Sequence, residues 1–194
     1  ALLVFDEVQA GFGRCGTYWG FDYYDVTPDV ICCGKGISSG LPLSAVIGRA
    51  EVMDLFPPGS MTSTHTGNAL AVAGGLANIQ AIDQDRLVEN AAQMGQILQP
   101  ELERIGQRFP AFVGMVHGRG LVGSLHIVKP GGIEPDAQRA DEIVRGCIEQ
   151  GVMMFAPVGY GGASVKVSPP LCITEEPLRE SLAVLEDVLE QLAN

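Results

Sequence analysis

The chain has little of what would mark it for nucleic acid, membrane or an oxidising compartment. Positive charge is scarce: 12 lysines and arginines stand against 23 acids in 194 residues, a net charge of −11. That balance disfavours phosphate backbones and anionic bilayers as partners, yet leaves room for one locally positive site that takes a small anion. Long hydrophobic runs are missing as well. The uncharged stretch over residues 57–82 is broken by Pro57, Pro58, Gly59, His65 and Asn68, so it does not read as the ~20 apolar residues a membrane span requires. Cysteine is present but unpatterned, since Cys15, Cys32, Cys33, Cys147 and Cys172 form no CxxC pair and leave an odd count. Buried free thiols in a reducing cytoplasm fit this better than a disulfide framework. There are no internal repeats and no low-complexity tracts. What remains, 46% hydrophobic and 18% charged residues, is the composition of a soluble globular protein. Its length suffices for one large or two small domains.

Hydrophobic periodicity supplies the elements. Residues 2–5 and 30–33 are short continuous apolar runs, the pattern of buried parallel strands, and 43–47 is a third run closed by Gly48. The first run starts at once, with no hydrated lead and no methionine at residue 1, so the chain is expected to be the C-terminal part of a longer one. A polar loop rich in serine and threonine over 57–67 feeds an alanine-rich helix over 68–82, with Thr66 or Asn68 as N-cap. Beyond Asp83, Leu87, Ala91, Met94, Leu98, Leu102 and Ile105 recur every three or four residues, the stripe of an amphipathic helix. Pro100 is expected to kink or interrupt it. His117 and Arg119 then read as solvated turn residues. A strand over 121–128, a helix over 136–150, strands over 152–155 and 164–167, and a closing helix marked by Leu178, Leu182, Leu185, Val188 and Leu192 make a second lobe of α+β type. The division is expected near residue 85, giving domains 1–85 and 86–194.

Two residues at strand ends carry the chemistry. Asp6 closes the first run, and Lys35 follows the second in Cys33-Gly34-Lys35-Gly36. A strand-end acid commonly just caps a turn, and most loop lysines are solvated. Lys35, however, is the only lysine in the first 128 residues, follows four apolar residues that predict a desolvated amine, and is flanked by glycines that admit a close neighbour. A lysine amine can form a Schiff base with a carbonyl cofactor, and a carboxylate can hold a pyridinium nitrogen. Together these two needs describe pyridoxal 5′-phosphate (PLP) chemistry. The loop Thr62-Ser63-Thr64-His65-Thr66-Gly67-Asn68 is at minimum a capping region, and its hydroxyls before a helix also suit a phosphate. Gly11-x-Gly13-x-x-Gly16 matches the dinucleotide fingerprint by letter only, since the strand has already ended and an aromatic, β-prone stretch follows where a helix is needed. Gly34-Lys35 lacks the remaining residues of a P-loop.

With these residues in order, the chain resembles the class III (ω-type) aminotransferases of PLP fold type I. The resemblance rests on Asp6-Glu7-Val8-Gln9-Ala10-Gly11-Phe12-Gly13-Arg14, on 34–43 around Lys35, on Ser63-Thr64-His65-Thr66-Gly67-Asn68, and on Ser168-Pro169-Pro170-Leu171. It implies an α/β fold: part of the large domain, with a mostly parallel sheet, followed by a small C-terminal α+β domain. It further implies a homodimer with shared active sites, and ping-pong transfer of an amino group from an amine or amino acid donor to a keto acid or other carbonyl acceptor. By resemblance, Lys35 binds PLP covalently and moves the proton at the donor's Cα, while Asp6 pairs with the pyridine nitrogen. Gln9 bonds the region of the ring hydroxyl, and Thr64 contacts the cofactor phosphate of the neighbouring subunit. The family usually carries an arginine just before its SPPL-like segment to grip a substrate carboxylate. Here Lys166 stands there, a point charge without the bidentate fork, which leaves an amino sugar open as the amine. The alternatives are a racemase, epimerase or decarboxylase on the same scaffold, a non-catalytic fragment and, resting on the glycine match alone, a nicotinamide-binding domain.

Overall fold

The computed structural model describes residues 1–193, which divide between Glu89 and Asn90 into two compact units. In the first, strand β1 (Val4–Asp6) pairs in parallel with β2 (Val30–Cys33), in the register Val4↔Val30 to Asp6↔Cys32. Strand β3 (Ala45–Gly48) adds to the other side of β2 in antiparallel sense, so the sheet is mixed, in the order β1-β2-β3. A one-turn helix α1 (Ala50–Met53) and the long α2 (Ala69–Gln84) follow. The core of this unit is Phe12, Cys33, Ile37 and Ile82, with Tyr18, Trp19 and Leu43 packed around it. The apolar runs do not make strands buried on both faces: Val4 is 55% exposed, Val46 52% and Ile47 50%.

The second unit is an antiparallel sheet, β4-β5-β6, made of β4 (Val113–Arg119), β5 (Val122–Ile127) and β6 (Ser164–Val167). Strand β5 shows the period of two that one covered face requires: Gly123, Leu125 and Ile127 are buried and the residues between them are not. Three helices contribute the rest, α3 (Leu87–Arg108), α4 (Ala137–Glu149) and α5 (Glu175–Ala193). Leu98, Leu102, Ile105, Leu125, Ile143, Val165, Leu185 and Leu189 are fully or nearly fully buried in one cluster. Each such side chain stabilises the fold by roughly 1.5–3 kcal/mol.

Three expectations need correction. Helix α3 runs through Pro100 without a break, because Pro100 and Gln96, the residue whose carbonyl loses its partner, both lie on the exposed face. Buried Leu98 and Leu102 hold the other side. His117 and Arg119 are not turn residues: they belong to β4, opposite Ser124 and Val122, and the hairpin turns at Gly120, whose φ of 51° suits glycine. Residues 152–155 form no strand, and Met153 is 94% exposed. No helix among the described residues is long and apolar enough to cross a membrane.

Candidate active site

Parallel pairing of β1 and β2 puts their carboxyl ends at one edge of the sheet, where α/β proteins commonly bind ligands. Asp6 is the last residue of β1 and lies beside Cys32; Lys35 follows β2 by two residues at the same edge. Asp6 Oδ1 accepts the Val8 N–H at 3.0 Å, which orients the carboxylate, and Oδ2 has no partner among the described residues. Lys35 is exposed rather than desolvated, and its amine has no hydrogen bond or ion pair among the described residues. Two opposite charges at one strand edge therefore do not neutralise each other.

The lysine turn is built by its neighbours. Lys35 itself has φ 40°, in the left-handed region that costs an ordinary residue roughly 1–2 kcal/mol. The Ser38 and Ser39 N–H groups both donate to its carbonyl, at 3.3 and 3.1 Å. The flanking glycines are there for space: a Cβ at Gly34 would sit 3.2 Å from Val8, and one at Gly36 would sit 3.1 Å from Phe12. Val8 and Phe12 come from the segment after Asp6, so that segment and the lysine turn pack on each other. Gln9 lies in the same turn, half-buried. Residues 11–16 continue in turns and lead to a short 3-10 helix (Gly20–Tyr24), so no α-helix starts there to receive a pyrophosphate.

Two residues went unnoticed in the sequence. Glu7 is 1% exposed and accepts the N–H groups of Gly20 and Phe21 at 2.8 and 3.0 Å, tying the aromatic loop back to the end of β1. Asn78 of α2 donates from Nδ2 to the Gly36 carbonyl at 2.7 Å. No local signal distinguishes a buried acid or a bonded amide from a solvated one. Close to these groups, burial foremost pushes the Cys33 thiol up from its ordinary value, with smaller contributions from Cys32 and Glu7; the group therefore stays protonated and poorly nucleophilic.

Thr64 lies in an exposed loop in which the Ser63 and Thr66 hydroxyls bond each other at 2.7 Å. The cap of α2 is Asn68, not Thr66: its Oδ1 accepts from the Leu70 and Ala71 N–H groups at 3.0 and 3.2 Å. Lys166 belongs to the second unit, on β6 opposite Ser124, with its ammonium 4.5 Å from the centroid of the Phe155 ring.

The aminotransferase class-III family profile matches residues 1–189. A probable 4-aminobutyrate aminotransferase of Bacillus subtilis is 36% identical over 95% of this chain and 42% of that protein. An alanine/serine racemase of Pyrococcus horikoshii is 35% identical over 97% of this chain and 39% of its own length. Among solved structures, a Bacillus anthracis aminotransferase superposes with a TM-score of 0.85 at 32% identity, covering 98% of this chain and 45% of that one. The chain thus spans less than half the length of the curated relatives it matches.

Proposed function

The chain belongs to the class-III aminotransferases, and from that premise we propose that its protein is a PLP-dependent transaminase moving an amino group from a primary amine to a carbonyl acceptor. The observation that carries this reading is the pair Asp6 and Lys35, oppositely charged, at one sheet edge and unpaired with each other. A flat ring with a basic nitrogen at one end and an aldehyde at the other needs such a carboxylate and such an amine, kept apart. These residues fit it. When bound, the cofactor supplies an electron sink for the pair left behind when Cα loses its proton.

The chain's own residues supply the rest. The Lys35 amine would hold the cofactor at its aldehyde end and would act as the base that takes and returns the proton at the donor's Cα. Asp6 Oδ2 would hold the pyridine nitrogen and favour its protonated form. Gln9 would meet the ring hydroxyl, and the Thr64 hydroxyl would donate to the cofactor phosphate of the partner subunit in a homodimer. Lys166, steadied over the Phe155 ring, is the candidate point charge for a substrate carboxylate. The five free cysteines support the reducing cytoplasm as its compartment.

Borohydride trapping of PLP, followed by peptide mapping, tests the assignment. Label is expected on Lys35 in the parent and absent from that peptide's position in Lys35→Ala, with loss of transamination. Trapping that leaves Lys35 unlabelled in the active parent would refute it. The Pyrococcus horikoshii relative motivates one other reading, racemisation. With amine but no keto acid, a transaminase stops after one half-reaction while a racemase keeps turning over.

A further inference from the structure

The lysine turn is held from a distance. Helix α2 presents Gly74, Gly75 and Asn78 on neighbouring positions of one face toward residues 36–43. A Cβ at Gly75 would fall 2.6 Å from the Leu43 side chain and 3.3 Å from the Ile37 carbonyl, and one at Gly74 would collide with Leu41. The missing side chains let the helix come close enough for a short amide to reach the turn. Asn78 Nδ2 then donates to the Gly36 carbonyl at 2.7 Å, across 42 residues of sequence. Gly36 immediately follows Lys35, whose left-handed backbone is the strained element of the turn.

We propose that Asn78 is a positioning residue for Lys35: its amide fixes the Gly36 peptide and thereby holds Lys35 in its left-handed conformation at the sheet edge. The contact needs a donor. Asp at 78 keeps the size of the side chain but sets a carboxylate against the carbonyl, and Ala removes the contact altogether. Either change frees the peptide to rotate and the lysine to relax toward commoner backbone angles. The Ser38 and Ser39 amides, both bonded to the Lys35 carbonyl, report that relaxation directly. This inference rests on the aminotransferase reading for its catalytic meaning, but not for its structural content.

The test compares the parent protein with Asn78→Asp, Asn78→Ala and, as a control on the exposed side of the same helix, Gln80→Asp. Hydrogen exchange at Ser38 and Ser39 needs no cofactor. The second readout is labelling by PLP: the lysine nitrogen bonds the aldehyde carbon with loss of water, and borohydride hydride plus a solvent proton makes the link permanent. Exposed Lys129 serves as the reference amine. Loss of one hydrogen bond is expected to speed Ser38 and Ser39 exchange about five- to tenfold and to lower Lys35 labelling relative to Lys129 by a similar factor in both Asn78 variants. Gln80→Asp is expected to behave as the parent. Exchange at Ser38 and Ser39 unchanged in Asn78→Asp and Asn78→Ala overturns the proposal. Equal labelling of Lys35 and Lys129 in the parent would instead sink the aminotransferase reading, and the exchange data would still decide whether Asn78 holds the turn.

Discussion

Glu7 is the residue whose replacement tests the architecture of the site most directly. It is 1% exposed, and its two oxygens accept the Gly20 and Phe21 N–H groups at 2.8 and 3.0 Å. In Glu7→Gln the shape is kept but one oxygen becomes an NH2 group facing an N–H. One hydrogen bond to a charged group is lost and a donor is left unmet, a cost of about 2–3 kcal/mol. Glu7→Ala removes both acceptors and opens a void, for about 3–4 kcal/mol. Trp19 is the chain's only tryptophan, precedes Gly20, and packs with Phe12 at 5.1 Å and on Phe21 at 6.2 Å. Its fluorescence therefore follows the first unit during urea unfolding. With a slope of about 2 kcal/mol per M, Glu7→Gln is expected to lower the midpoint by about 1–1.5 M. Asp22→Asn, which alters an exposed acceptor for the Trp19 N–H, is expected to stay within about 0.5 kcal/mol of the parent. A Glu7→Gln protein as stable as Asp22→Asn would show that the buried carboxylate does not tie the loop to β1.

Three further outcomes are expected. Gly95→Ala should destabilise the second unit by about 1–2 kcal/mol, since the added Cβ would meet Gly120 Cα at 2.6 Å and the overpacking exceeds the helix-propensity gain of about 1 kcal/mol; a higher unfolding midpoint would contradict this. Hydrogen bonds from Arg104 and then Arg108 hold the Glu186 carboxyl near about 2, below its ordinary 4.5. A depressed carboxylate stabilises the fold above its ordinary pKa and loses that stabilisation as pH falls from about 4.5 toward 2. Because both arginines are about half exposed, the loss is expected to be about 1–2 kcal/mol, to shrink in high salt and to vanish in Glu186→Gln, as acid titration of unfolding would register. Among the thiols, exposed Cys172 should react at once with a disulfide reagent at pH 8. Cys147, fully buried and pushed up to about 11 by that burial, should react only on unfolding, so rapid native labelling of Cys147 would rule out its burial.

Much of the path from sequence to site was local and therefore legible. The amphipathic stripe of α3, the alternation in β5 and the closing helix α5 each repeat within one element, so a short window contains the whole signal. The strand ends that carry Asp6 and Lys35 were legible for the same reason: an apolar run stops where an acid or a glycine begins. Strand β4 escaped because Gly114, His117, Gly118 and Arg119 give it no apolar alternation, and only pairing with β5 makes it a strand. Residues 152–155 erred the other way, apolar enough for a strand but left without a partner.

By itself, the amino-acid order determined most of the elements, β4 and residues 152–155 excepted, and singled out Asp6 and Lys35 as the candidates for chemistry, since both follow from side-chain type and short-range spacing. Only the tertiary structure decided that α3 tolerates Pro100, that Glu7 is buried under the aromatic loop, and that Asn78 reaches the Gly36 carbonyl. Those outcomes depend on which faces meet and at what distance, between residues 4 to 42 positions apart, and no local periodicity encodes that.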